Sequence, residues 1–135
     1  MPISPTYSKT IISPKEVIDE NGHVNNVVYV QWMQDIAVEH YSSIGGIQAQ
    51  GTESTWVSRE HKIEYFLPAF EGEEIEIRTW VENVRRVRSL RKYEFVRKVD
   101  GKVLVKGETD WVFVDVMTGS PRAVPDEVIR VFQQT

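Results

Sequence analysis

The chain has 135 residues, 41% hydrophobic and 27% charged, and a formal net charge of −4. That length suits one domain with its own core, and the composition excludes a disordered chain, while the negative balance argues against nucleic-acid binding. The sequence has no cysteine, which excludes disulfides, thiolate nucleophiles and cysteine-held metals, and neither a signal peptide nor an apolar run of the ~20 residues a membrane span requires is present. The expectation is a cytoplasmic protein with no membrane partner.

Residues 1–5 read as a loose terminus. Tyr7–Ile12 is rich in β-formers and predicts a short strand, which Ser13-Pro14 ends because the position before proline favours extended or turn geometry. Lys15–Gly22 reads as a loop. Within it begins the densest stretch of the chain, Asp19-Glu20-Asn21-Gly22-His23-Val24-Asn25-Asn26. An acid, a glycine, an imidazole and amides gather directly before a helical pattern, and a helix start offers free backbone N–H groups. From Val28 to Ile44 the period is helical. Tyr29, Trp32, Met33, Ile36, Ala37, His40, Tyr41 and Ile44 share one face, Asn25 or Asn26 supplies the N-cap, and Gly45-Gly46 the stop.

Gln48–Thr52 reads as a polar connector. Trp56–Leu67 predicts a strand ended by Pro68. Glu74–Val84 alternates, with Ile75, Ile77, Thr79 and Val81 on one face and Trp80 interrupting the polar one, as in a half-buried antiparallel strand. Ser89–Val99 predicts another strand, Asp100-Gly101 a type I′ hairpin turn, and Lys102–Val116 a long return. Thr118-Gly119-Ser120-Pro121 is a turn, and Pro125 opens a last helix over Asp126–Phe132. The order is strand, long helix, four long strands, short helix. The economical α+β architecture wraps a twisted five-stranded antiparallel sheet around the one long helix. One helix does not cover both faces of five strands, so the outer face, with Trp80, or a sheet edge is expected to pair with a second copy.

The spacing Asp19-x-x-Gly22-His23-Val24-Asn25-Asn26-x-x-Tyr29-x-x-Trp32 resembles the signature of hotdog-fold acyl thioesterases. It is closest to the branch of 4-hydroxybenzoyl-CoA thioesterase-like and acyl-CoA thioesterase proteins. Nearly the whole chain fits, including the ending Asp115-x-x-Thr118-Gly119-x-Pro121-x-x-x-Pro125. The resemblance implies a single hotdog thioesterase domain over residues 1–135 and hydrolysis of an acyl-CoA to a carboxylic acid and coenzyme A. It implies a homodimer or a homotetramer built as a dimer of dimers, and no cofactor. It makes Asp19 the nucleophile or general base, and the backbone N–H near Asn26 the donor to the thioester oxygen. Asn21 and His23 match the Asn and His of the corresponding stretch in plant acyl-carrier-protein thioesterases and would orient substrate or water.

Two departures bear on the substrate. Hydroxybenzoyl-CoA enzymes commonly have an aliphatic residue where this chain has His23. The plant enzymes place a further acidic or cysteine residue where this chain reads Tyr65-Phe66-Leu67-Pro68-Ala69-Phe70. Another thioesterase branch carries its acid inside the helix, where Asp35 and Glu39 are the candidates. The chemistry asks for a nucleophile or base and for fixed donors to a developing oxyanion, and the helix start provides such donors together with the positive end of its dipole. Gly22 would permit a left-handed turn and close substrate approach. Tyr29 would line the pocket. The basic run Arg85, Arg86, Arg88 and Arg91, with Lys92, stands out in an acidic chain and suits the phosphates of coenzyme A. No His/Asp/Glu spacing suggests a metal. The rivals are the same hydrolysis on an acyl carrier protein, a non-catalytic acyl-CoA binding module, and a hotdog dehydratase, whose hydratase motif is not found.

Overall fold

The computed structural model describes residues 1–134. The chain runs β1 (Tyr7–Ile12), α1 (Asn26–Ser43), α2 (Gly46–Gln50), β2 (Ser54–Tyr65), β3 (Glu74–Arg85), β4 (Arg88–Arg97), β5 (Lys102–Asp115) and α3 (Asp126–Phe132). The strands form a five-stranded sheet in the order β1-β3-β4-β5-β2, every neighbouring pair antiparallel. This is the hotdog arrangement expected, with α1 packed on the inner face of the sheet.

Period-two alternation builds that face. Ile75, Ile77, Thr79 and Val81 of β3 and Ser89, Arg91, Tyr93 and Phe95 of β4 are all buried. The face of α1 with Tyr29, Met33, Ile36, Ala37, His40 and Tyr41 is buried against it. Tyr29, Met33 and Ile36 join Ile75, Ile77, Phe95 and Val105 in the main core, while Tyr41, Val81, Phe113, Val128 and Phe132 form a second cluster under α3. Three register shifts leave Arg59, Glu82 and Leu104 as extra residues in β2, β3 and β5. Each such bulge bends its strand and adds right-handed twist, which curves the sheet around the helix. The bulge in β5 falls where two consecutive residues, Leu104 and Val105, are both fully buried.

Three local features differ from the sequence reading. Lys15–Val17 forms a single 3-10 turn within the expected loop. Gly45, at φ 85°, ends α1, but residues 46–50 form α2 instead of a connector. A five-residue helix carries too little periodicity to announce itself, and this one is fixed by tertiary contacts. Tyr41 Oη donates to Gln50 Oε1 at 2.9 Å, and the Tyr41 ring lies so close to Gly46 that a Cβ there would sit 2.2 Å from Cε1. The third is Asp100-Gly101. Arg97 pairs with Lys102, so the loop has four residues, and only Gly101 has a positive φ, 71°. A type I′ turn requires two such residues. Here Arg97 Nη2 donates to Asp100 Oδ2 at 2.9 Å and Asp100 Oδ1 accepts the Lys102 N–H at 3.1 Å, so a side chain closes the turn. Trp80 is half-buried and donates through Nε1 to Glu82 Oε1 at 3.1 Å.

Phe95 is fully buried and meets Tyr29 edge-on at 5.0 Å between ring centroids. Phe95→Ala is expected to cost about 3–5 kcal/mol in urea unfolding. Lys106→Ala, on the exposed face of β5, is expected to stay within about 0.5 kcal/mol of the parent.

Candidate functional site

The motif folds as a tight excursion between two fixed points. Ile18 and Val24 form an isolated antiparallel bridge, Asp19 N–H donates to the His23 carbonyl at 3.0 Å, and Gly22 N–H donates to the Asp19 carbonyl at 3.0 Å. Gly22 has φ 85°, and a Cβ there would touch nothing. Backbone conformation, not space, therefore calls for glycine. The loop is tied to the turn before β3. Val24 N–H donates to the Ala69 carbonyl at 2.8 Å, Gly72 N–H to the Ser13 carbonyl at 2.9 Å, and the Ser13 hydroxyl to the Phe70 carbonyl. Asp19 is half-buried, and its Oδ1 accepts the Asn21 N–H at 2.9 Å, which leaves Oδ2 unengaged among the described residues. Asn21 is exposed on the turn. His23 is half-buried, edge-on to Phe70 at 6.4 Å.

Asn25 is the N-cap of α1. Its Oδ1 accepts the Val27 N–H at 3.1 Å and its carbonyl accepts the Val28 N–H at 3.0 Å. The Asn26 N–H, at the first helical position, has no hydrogen-bond partner among the described residues. Asn26 borders a cavity of about 260 Å³ together with His23, Tyr29, Tyr65, Phe66 and Leu67. A helix start, a free amide and an apolar-walled space thus coincide. Asp19 stands in the same loop, outside the cavity's lining in the single chain.

Tyr29 is 2% exposed, with its ring against Trp32, Tyr65 and Phe95. Burial, reinforced by Tyr65 and Glu73, pushes its phenol up to about 12, so it stays protonated and serves as wall. Tyr65, near the end of the strand the sequence predicts, locks the helix start, since its Oη donates to the Asn26 carbonyl at 3.0 Å. Tyr65, Phe66 and Leu67 remain 44%, 50% and 38% exposed at the end of an edge strand. Three large apolar residues in a row ahead of a proline were the sequence signal for this wall. Asp35 accepts from Gln31 Nε2 at 2.8 Å and Glu39 faces Lys9 Nζ at 3.2 Å, both on the exposed side of α1.

The structure divides the basic run. Arg85, Arg86 and Arg88 sit exposed at the β3–β4 turn, with Arg86 at φ 53° and its carbonyl held by the Val124 N–H at 2.8 Å. The motif loop is pinned at the start of β3 and this turn lies at its end, a separation of roughly 35 Å of extended strand. Within one chain the two do not share a site. Arg91 is not part of the surface run at all. Strand alternation turns it inward, to 3% exposure, where Nη1 donates to His40 Nδ1 at 2.9 Å and to Thr79 Oγ1 at 3.1 Å. The expectation that it joins the exposed arginines at phosphate does not fit that placement. A guanidinium only donates, so His40 accepts through Nδ1 and carries its proton on Nε2. Its ring also stacks on Tyr7 at 5.1 Å. Among the described residues no cluster of three or more His, Asp or Glu side chains could hold a metal, and no helix is long and apolar enough to cross a membrane.

A family model described as the thioesterase-like superfamily matches residues 12–132. No curated protein matches the chain. Among solved structures, the chain is similar to the PA5185 protein from Pseudomonas aeruginosa strain PAO1, with 22% identity, a TM-score of 0.83, and coverage of 93% of this chain and 88% of that one. It is also similar to a 1,4-dihydroxy-2-naphthoyl-CoA thioesterase from Synechocystis, with 16% identity, a TM-score of 0.83, and coverage of 95% and 96%. A DHNA-CoA thioesterase from Staphylococcus aureus matches with 22% identity, a TM-score of 0.77, and coverage of 87% and 80%. At these identities the likeness is one of fold.

The His40–Arg91 contact gives a pH prediction. Burial, and then the charge of Arg91, hold the His40 imidazole down from 6.5 to about 4. The unfolded chain takes up a proton on this residue near pH ~6.5 and the folded chain does not, so stability present above that pH is lost as the pH falls towards 4, and the loss levels off below it. Urea unfolding across this window is expected to show that decline in the parent and a flatter profile in His40→Asn. A His40 imidazole, assigned by its loss in His40→Asn, that titrates near 6.5 by NMR in the folded protein would contradict the assignment.

Proposed function

The chain belongs to the thioesterase-like superfamily, and on that premise we propose that it hydrolyses an acyl-CoA thioester to a carboxylic acid and free coenzyme A. Asp19 acts on the thioester carbon as nucleophile, through a mixed anhydride, or as general base on a water. In either case the C–S bond breaks and the coenzyme A thiolate gains a proton, and on the first route a water then hydrolyses the anhydride, releasing the acid and restoring Asp19. The Asn26 N–H receives the charge that develops on the carbonyl oxygen. His23 and Asn21 orient water or substrate, and Gly22 keeps the loop close enough for the thioester to approach the backbone.

The observation that carries this reading is the Asn26 N–H. It is a helix-start donor without a protein partner among the described residues, on the lining of a cavity walled by Tyr29, Tyr65, Phe66 and Leu67, seven residues after a carboxylate with a free oxygen. Fixed donors of this kind act where charge develops in the transition state, and removing one typically costs ~10²–10³ in rate. The apolar walls suit an acyl group. Arg85, Arg86 and Arg88 suit the coenzyme A phosphates only if a second copy brings its β3–β4 turn to the motif end of the first, so the reading includes a homodimer or a larger assembly of residues 1–135 acting as one thioesterase domain. The coenzyme A thioesters in the names of two similar folds support a CoA substrate over a carrier-protein one.

Thiol release from acyl-CoAs, short to long and aliphatic to aromatic, tests the proposal. Turnover is expected to peak on one acyl class and to fall by ~10² or more in Asp19→Asn, with the unfolding curve unchanged. A well-folded Asp19→Asn protein as fast as the parent, or no thiol release from any acyl-CoA, would sink it.

A further inference from the structure

A second cavity, of about 140 Å³, lies towards the other end of α1, bordered by Ala37, Tyr41, Trp56, Trp111, Phe132 and Arg91 among others. It is roughly 20 Å along the helix from Asn26, and Met33 and Ile36, 0% and 1% exposed, fill the core between the two. No acidic side chain lines it.

Arg91 makes this cavity unusual. A buried charge is ordinarily paired with an opposite one, because an unpaired ion in the interior is costly. Here the guanidinium meets only dipoles, a neutral imidazole and a hydroxyl, both through Nη1. Burial lowers its pKa to about 10, so it remains charged at neutral pH. The Trp56 and Trp111 Nε1 atoms are sealed from solvent without a hydrogen-bond partner. Each lies beside a phenol, of Tyr41 and Tyr93 respectively, whose pKa burial raises. Positive charge therefore borders a mostly apolar space, whose other polar side chains are neutral, with nothing negative in it.

We propose that this cavity binds a small organic carboxylate, its oxygens on Arg91 and its apolar body between Trp56, Trp111 and Phe132. The planar fork of arginine matches a carboxylate. A single guanidinium matches one negative charge, whereas a phosphate dianion would bring a second with no other cation on the lining. The volume admits a ligand of a few carbons or one aromatic ring. This site is separate from the Asn26 cleft and does not depend on the hydrolysis proposed there.

Calorimetric titration of the whole chain with butyrate and with benzoate tests it. Butyramide and benzamide serve as neutral isosteres, and chloride and phosphate at matched ionic strength as inorganic anions. One carboxylate per chain is expected to bind with Kd below about 1 mM, with the amides at least ~10-fold weaker. Arg91→Met is expected to lose the carboxylate by the same margin while unfolding at no lower temperature than the ligand-free parent. Should that variant fail to fold, Val38→Trp, at the exposed rim of the cavity, blocks entry with Arg91 intact and is expected to abolish binding. The proposal is overturned by amides binding as tightly as acids, by phosphate or chloride outcompeting the carboxylates, by carboxylate binding that survives the Arg91→Met or Val38→Trp change, or by no heat of binding up to about 20 mM.

Discussion

Tyr29, Met33 and Ile36 run down one side of α1 onto Ile75, Ile77, Phe95 and Val105 of the sheet, and the rest of the molecule answers to that contact. A helix cylinder meets a flat sheet along a line. To bury a broad helical stripe the sheet must curl, and the bulges at Arg59, Glu82 and Leu104 supply bend and twist in three of the five strands. The same contact fixes where α1 begins. Asn25 caps it, Tyr65 from the neighbouring edge strand holds the Asn26 carbonyl, and the motif loop is pinned to the Ala69–Glu73 turn. The free Asn26 amide is thus presented by an element that cannot shift without moving the core.

Further along α1 the interior changes character. Tyr7 stacks on His40, and His40 and Thr79 both accept from Arg91, between two clusters that are otherwise apolar. The hydrogen bonds there fix which group donates and which accepts. The guanidinium forces His40 to accept, and so to be neutral. The Thr79 hydroxyl accepts from Arg91 and donates to the Lys92 carbonyl at 2.9 Å. A charge held only by dipoles is a weaker arrangement than an ion pair, and the deficit falls on the cavity that Arg91 borders.

The two ends of the sheet consequently carry different chemistry. The motif end holds a carboxylate, an imidazole and a helix-start donor, the last two bordering an apolar cleft. The far end exposes Arg85, Arg86 and Arg88 on a tight turn whose backbone is secured by Val124 and Phe113. One chain keeps these ends apart, so any ligand that needs both requires more than one copy. Among the described residues β1 and β2 lie at the two edges of the sheet, each paired on one side only, and either offers backbone groups for such an association.

Much of this was legible in the residues. The helix over Asn26–Ser43, its buried face, the alternation in β3 and the closing helix follow from local periodicity, which is a property of neighbours in sequence. The motif spacing identified the loop that opens the helix. What periodicity could not carry was decided by specific side-chain contacts, some local and some between distant segments. Residues 46–50 are helical because Tyr41 packs on Gly46 and bonds Gln50. Asp100-Gly101 closes a longer loop because Arg97 reaches the aspartate. Tyr65 belongs to the cleft because β2 ends beside the helix start. Arg91 is the clearest case. In sequence it is one of five basic residues within eight positions, and only the register of β4 against β3 and β5, together with the passage of His40 over that face, turns it inward while Arg88 remains in solvent. Strand alternation separates the side chains of a charge cluster that the sequence places side by side, and which of them face the core is settled only when the sheet closes on its helix.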